Sequence, residues 1–284
     1  MSWSRSDLAA RVAERLRRDH DTLRVQWQSA SPVAHFVVDD VLPEDVVREL
    51  AASFPDPATL MERRSWREHK RVGVEVDRYA PLVTEFLYAF QAPEVVQAVA
   101  GITGVGGLEV DPSLYASGIS TMLPGDFLNP HLDNSHDGDN ALYRALNVLF
   151  YASPGWREEW GGNLEVWDEA VRTPTRIPAL FNRLVVMETH PASWHSVSRV
   201  EGEAPRLCVS NYYFSAEPPG GRDYAHVTTF AGRPEQPALR AFMKVDAFVL
   251  NLLGRLFPFL TTRNKHRIRG EDAAPQEHRI RGDG

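Results

Sequence analysis

The feature that most constrains this chain is a change of period after Gly104-Val105-Gly106-Gly107. From there, short stretches rich in branched and aromatic residues follow one another: Leu108 to Val110, Leu114 to Met122, Leu142 to Tyr151, Leu164 to Trp167, Leu184 to Met187, Trp194 to Val200 and Arg206 to Phe214. Glycine, proline, asparagine or aspartate separates most of them. Many short strands divided by turn formers predict a sandwich or barrel, with a jelly roll as the natural candidate. The expected fold is therefore mainly β with flanking helices.

The flanks are helical. Leu8, Val12 and Leu16 recur every four residues, which predicts an amphipathic helix over 6–18. His35 to Asp39 reads as a strand, and Pro43-Glu44-Asp45 opens a helix to about Ser53 with acids where the helix dipole favours them. Residues 62–71 are crowded with charges of both signs and are expected to form a solvated loop, with substrate contact as the alternative. From Pro81 to Ala100 the pattern is helical, broken at Pro93 and stopped at Gly101. The expected layout is 1–107, a helical and mixed segment packed on the core; 108–216, the core; 217–260, a C-terminal helical extension; and 261–284, a basic flexible tail. Within the extension, Leu239, Phe242, Met243, Val249, Leu252, Leu253, Leu256 and Phe257 suit a helix over 238–257 that packs on the domain, the alternative being a helix on a membrane surface. The tail repeats His266-Arg267-Ile268-Arg269-Gly270 as His278-Arg279-Ile280-Arg281-Gly282.

Composition narrows the class. With 31 Lys and Arg against 38 Asp and Glu the formal charge is -7, which argues against a general nucleic-acid binder. Cys208 is the only cysteine, so an internal disulfide and a cysteine-based zinc site are excluded, and a reducing cytoplasm is the expected location. No apolar run reaches the roughly 18 residues of a membrane span, and no signal-peptide pattern is legible.

Asn129-Pro130-His131-Leu132-Asp133 carries the chemistry. If that segment is extended, His131 and Asp133 share a face, and an imidazole with a carboxylate suits a divalent first-row metal. A 2-His-1-carboxylate triad needs one more histidine. His195, after an apolar strand and the Pro191 turn, is the preferred third ligand, with His190 in reserve and His136 set aside as solvated. On a strand over 206–212, Arg206, Cys208, Ser210 and Tyr212 share one face. An inward Arg206 with Ser210 would receive a small-molecule carboxylate, and Tyr151 could meet the same group. The alternative is an ion pair between Arg206 and an internal acid such as Glu165 or Glu188.

His131-x-Asp133, His195 and Arg206 in this order resemble the iron(II) and 2-oxoglutarate dependent dioxygenases, in particular the prolyl-hydroxylase-like branch. Met122 to Asp126, Leu146 to Tyr151, Gly161 to Trp167 and Arg206 to Phe214 carry the likeness further. The resemblance implies a double-stranded β-helix core and iron(II) on His131, Asp133 and His195. It implies 2-oxoglutarate as cosubstrate, its distal carboxylate on Arg206 with Tyr151 and Ser210, its chain on Leu164, and Tyr212 closing the pocket wall. Ascorbate enters as a possible accessory reductant, and dioxygen with a small-molecule or peptide substrate as partners. The expected reaction is hydroxylation of an unactivated C–H bond of an amino-acid, prolyl-like peptidyl or specialised-metabolite substrate, with 2-oxoglutarate going to succinate. Because Asp133 is retained, the halogenating variant of this chemistry is disfavoured. Leu123 departs from the tyrosine that many relatives carry there. The competing class is a non-oxygenase, cupin-like metal binder or carboxylate sensor. The polar loop 134–140, with Trp156 to Trp160, is the expected lid.

Overall fold

The computed structural model describes residues 3–73, 75 and 78–243. The expected helix over 238–257 begins inside this range, where 237–243 are helical, and its remainder and the repeated basic tail lie outside the described residues.

Among the described residues, five α-helices precede the core. α1 (Arg5–Arg18) is opened by Ser4, whose hydroxyl caps Asp7 N while the Asp7 side chain returns to the Ser4 backbone, and it buries Leu8, Val12 and Leu16. α2 (His20–Ser29) and α3 (Glu44–Ala52) follow. α4 (Pro81–Ala89) and α5 (Pro93–Thr103) each start on a proline, where the missing N–H is no loss. α5 runs past the expected stop at Gly101 to Gly104, which ends it at φ 75°, a conformation that costs glycine little.

The strands are β1 (His35–Val38), β2 (Met61–Arg64), β3 (Glu68–Gly73), β4 (Glu109–Val110), β5 (Gly118–Met122), β6 (Phe127–Leu132), β7 (Tyr143–Tyr151), β8 (Leu164–Trp167), β9 (Pro174–Ile177), β10 (Arg183–Glu188), β11 (His195–Val197), β12 (Arg206–Ser215) and β13 (Thr229–Phe230). Their order is β1-β10-β7-β12-β5-β3-β6-β11-β8-β9, with β2, β4 and β13 on the margins, and the pairings are antiparallel. This is the double-stranded β-helix, or jelly roll, with a helical layer outside it.

Alternation divides the side chains into two cores. On β7, β10 and β12, Val148, Phe150, Leu184, Val186, Leu207 and Val209 point outward and pack under the helices. Tyr151, Val185, Met187 and Cys208 point inward to meet Leu164, Val166 and Val197 from the opposite sheet. A period of two on strands covered on both faces produces this split.

One expectation fails here. Residues 62–71 form most of the β2–β3 hairpin rather than a loop. β3 joins the two sheets, pairing Arg71–Gly73 with β5 and Glu68–His69 with β6. Its charges are sorted by face. His69 Nδ1 and Arg71 Nη1 reach the buried Asp126 at 2.9 and 2.8 Å, while Glu68 and Lys70 face the barrel interior. Both rows are polar, and so the strand carries no hydrophobic period.

Candidate metal centre

β6 and β11 are neighbours, and their register places His195 directly opposite His131. Asp133 stands one residue beyond β6, two from His131 and on the same face. One ligand atom from each of the three lies within 4.8 Å of the others. His131 Nε2 is 3.6 Å from Asp133 Oδ1, and His195 Nε2 is 3.5 Å from Asp133 Oδ2.

Both rings are aimed by one local device. His131 Nδ1 lies 3.0 Å from the carbonyl of Asn129, and His195 Nδ1 lies 3.0 Å from that of Ser193. A ring N–H donated to a carbonyl two residues back leaves the lone pair on Nε2, pointed at the centre. Burial, with the neighbouring His131 adding to it, pulls His195 down to about 4, so it is neutral and able to ligate near pH 7. Burial alone would raise Asp133, but His195, His131 and Arg144 outweigh it and hold the carboxyl well below its usual range. Asp133 Oδ2 is buried with no hydrogen-bond partner among the described residues. Two imidazole Nε2 atoms and an ionised, unfilled carboxylate oxygen are a donor set that fits a divalent iron-type ion.

These residues line a cavity of about 630 Å³, which Arg206 also enters. Arg206 is 3% exposed. Its Nε donates to Gly162 O at 2.5 Å, its Nη1 lies 3.8 Å from Met122 Sδ, and its guanidinium carbon stands 4.8 Å from the centre of the Tyr151 ring. Among the described residues it pairs with no acid. Glu165 is taken by Arg233 at 2.7 Å and Arg176 at 3.5 Å, and burial raises Glu188 above its ordinary range. Tyr151 Oη is buried without a hydrogen-bond partner among the described residues, and burial pushes the hydroxyl above the ordinary tyrosine range, so it remains a donor. A buried guanidinium beside an unfilled hydroxyl fits an incoming carboxylate. Leu164, Ser210 and Tyr212 line the same cavity, and Ser210 Oγ donates to Gly118 O at 3.3 Å.

His190 lies apart, beside Glu188 in a separate surface cleft. His136 is half-buried rather than solvated. Its Nδ1 lies 2.7 Å from Ser135 Oγ, its ring sits 4.4 Å from that of Tyr143, and loop 134–140 lines the cavity around it. Trp156 is buried, and neither it nor Trp160 lines the cavity. Sequence reasoning missed Arg144, Asn147 and Phe230. Phe230 on β13 stacks on His131 at 5.3 Å, and Asn147 was readable only as the strand mate of Tyr151.

Residues 117–214 match a protein-family model described as the 2OG-Fe(II) oxygenase superfamily. A curated prolyl 3-hydroxylase of Mus musculus is 28% identical over 121 residues, 40% of this chain, and the match spans 21% of that protein's length. Among solved structures, a Pseudomonas putida prolyl-4-hydroxylase superposes with a TM-score of 0.52 at 21% identity, covering 68% of this chain and 98% of the other. A Phytophthora capsici prolyl 4-hydroxylase gives 0.51 at 17% identity, covering 92% and 83%. Over the β core that carries His131 and His195 the chain is thus similar to the 2OG-Fe(II) oxygenase superfamily and to its prolyl hydroxylases.

Proposed function

We propose that the protein is an Fe(II) and 2-oxoglutarate dependent oxygenase that hydroxylates a C–H bond of an amino-acid, peptidyl or metabolite substrate. The observation that supports this best is the meeting of His131, Asp133 and His195 in one cavity with a guanidinium, Arg206, that no acid among the described residues neutralises. Iron(II) with 2-oxoglutarate and dioxygen supplies decarboxylation to succinate and carbon dioxide with transfer of one oxygen atom to a C–H bond. The chain's residues do the rest. His131, Asp133 and His195 hold the ion, and Arg206 with Tyr151 and Ser210 receives the distal carboxylate of the cosubstrate. Leu164 packs on its chain and Tyr212 walls the substrate side. The catalytic work is assigned to 108–216, with 1–107 as its outer layer. The lone, buried Cys208 suits a reducing cytoplasm, and no described helix is long and apolar enough to cross a membrane.

The test is succinate production from 2-oxoglutarate by the iron-loaded full-length chain on admission of air. Turnover that disappears in His131→Ala together with iron binding is the expected result. Absence of turnover with every substrate tried, and iron binding indifferent to His131→Ala, would instead favour a carboxylate-sensing metal protein.

A further inference from the structure

Arg144 has no role in the scheme above, yet it is among the most buried charges in the molecule. It lies near the start of β7, is 2% exposed and lines the metal cavity. Its backbone is fixed, with N–H donating to Ser135 O at 2.8 Å and the carbonyl accepting from Thr189 Oγ1 at 2.7 Å. The guanidinium carbon lies 3.9 Å from the centre of the Tyr212 ring, which holds the plane, and Nη1 stands 3.6 Å from Asp133 Oδ2. The other two nitrogens, Nε and Nη2, are buried and have no hydrogen-bond partner among the described residues.

Those two nitrogens are a specific pair. Their N–H bonds run side by side along one edge of the guanidinium, the edge that grips a carboxylate through two parallel hydrogen bonds. Buried donors left unfilled cost free energy, so an edge built this way into a ligand cavity points to a ligand. The cosubstrate's distal carboxylate is not that ligand. Its candidate receptor lies by Tyr151, seven residues along β7 from Arg144, which is about 23 Å of strand at 3.3 Å per residue. Nor does Asp133 settle the charge, because it meets only Nη1 and is the carboxylate assigned to the metal. Across the cavity, Lys70 and Arg63 flank Glu68 at 2.9 and 4.0 Å, two cations to one acid, which adds to the positive bias.

We propose that the Nε–Nη2 edge of Arg144 is the receptor for a carboxylate of the substrate. The substrate class is then a small free acid, such as an amino or hydroxy acid, or a chain ending in one. Because Arg144 touches a metal-ligand carboxylate, that group stands close to the carbon being oxidised. An internal residue of a neutral peptide, which offers only a carbonyl there, would leave the edge half filled. This assignment rests on the oxygenase reading of the site and narrows it.

The experiment is calorimetric titration of the full-length chain, loaded with zinc and 2-oxoglutarate, against common L-amino acids and hydroxy acids, each beside its carboxamide. At least one acid is expected to bind, roughly tenfold or more tighter than its amide. Arg144→Gln should abolish that preference, and Arg144→Lys, which keeps the charge but not the fork, should retain part of it. Amides binding as tightly as acids, no acid binding, a preference that survives Arg144→Gln, or loss of 2-oxoglutarate rather than substrate affinity in that variant would each overturn the proposal. Failure of the oxygenase reading has a different signature, since 2-oxoglutarate would then not bind the zinc-loaded wild type.

Discussion

Tyr151 and Arg206 separate what a side chain contributes to the fold from what it holds ready for a ligand. The Tyr151 ring is part of the inner core, but its hydroxyl is buried with no partner. Removing an unsatisfied polar atom is neutral or stabilising, whereas removing one member of a made hydrogen bond is not. Tyr151→Phe is therefore expected to leave the melting temperature of the metal-free protein unchanged or raised. It should weaken 2-oxoglutarate by roughly tenfold with iron affinity unaltered. A fall in stability without a change in cosubstrate binding would assign the hydroxyl to the fold. At this scale the sequence was legible wherever alternation alone fixed direction. His131 and Asp133 had to share a face once the segment was extended, and Arg206 had to face as Cys208 and Ser210 do. Arg144 was not legible, because the atoms that make it unusual come from another segment. Asp133 and the Tyr212 ring meet it only after β7, β12 and the end of β6 are in place.

Elements were legible where an apolar pattern showed, a stripe on a helix or an unbroken run on a strand. β7, β8, β10 and β12 are covered on both faces, and their runs of branched and aromatic residues stood out. The β2–β3 hairpin, β9 and β13 did not, since a strand that lines a polar cavity or edges a sheet has no hydrophobic row to display. β6 was identifiable only as a motif, and proline within it weakens any strand reading. The turn before β8 shows what an element demands of single positions. Gly162 sits at φ 63°, its carbonyl receives Arg206 Nε, and a Cβ there would lie 2.7 Å from Arg206 Cδ. Gly162→Ala therefore pushes directly on Arg206, the proposed cosubstrate receptor, while leaving the strands of His131 and His195 untouched. The expected outcome is loss of 2-oxoglutarate binding of tenfold or more, roughly the worth of a charge-assisted hydrogen bond, with metal binding retained. Equal loss of both would mean that the turn supports the whole sheet.

Across the whole molecule, the chain beyond β12 returns to brace the two strands that carry the histidines. β13 pairs with β6, where Phe230 covers His131 and Ala231 N donates to Pro130 O at 2.7 Å. Arg233 then crosses to β11. Its Nη2 lies 2.7 Å from Glu165 Oε2 and donates to Val197 O at 3.1 Å, and its guanidinium stands over the Trp167 ring. Glu165 is 1% exposed and also accepts from Ser196 Oγ at 2.7 Å, so one buried carboxylate joins β8, β11 and the returning segment. Such a pair adds little net stability over an apolar substitute, yet breaking one side of it strands a charge. Arg233→Met alone is expected to cost about 3–5 kcal/mol in urea unfolding, with Arg176, at 3.5 Å and mostly exposed, relieving part of it. Adding Glu165→Gln should recover most of that loss, because no buried charge then remains uncompensated. If the brace also sets His195, the single variant will bind metal more weakly than the double variant at equal fraction folded. Full recovery of stability with metal affinity indifferent to both changes would confine the pair to a structural role.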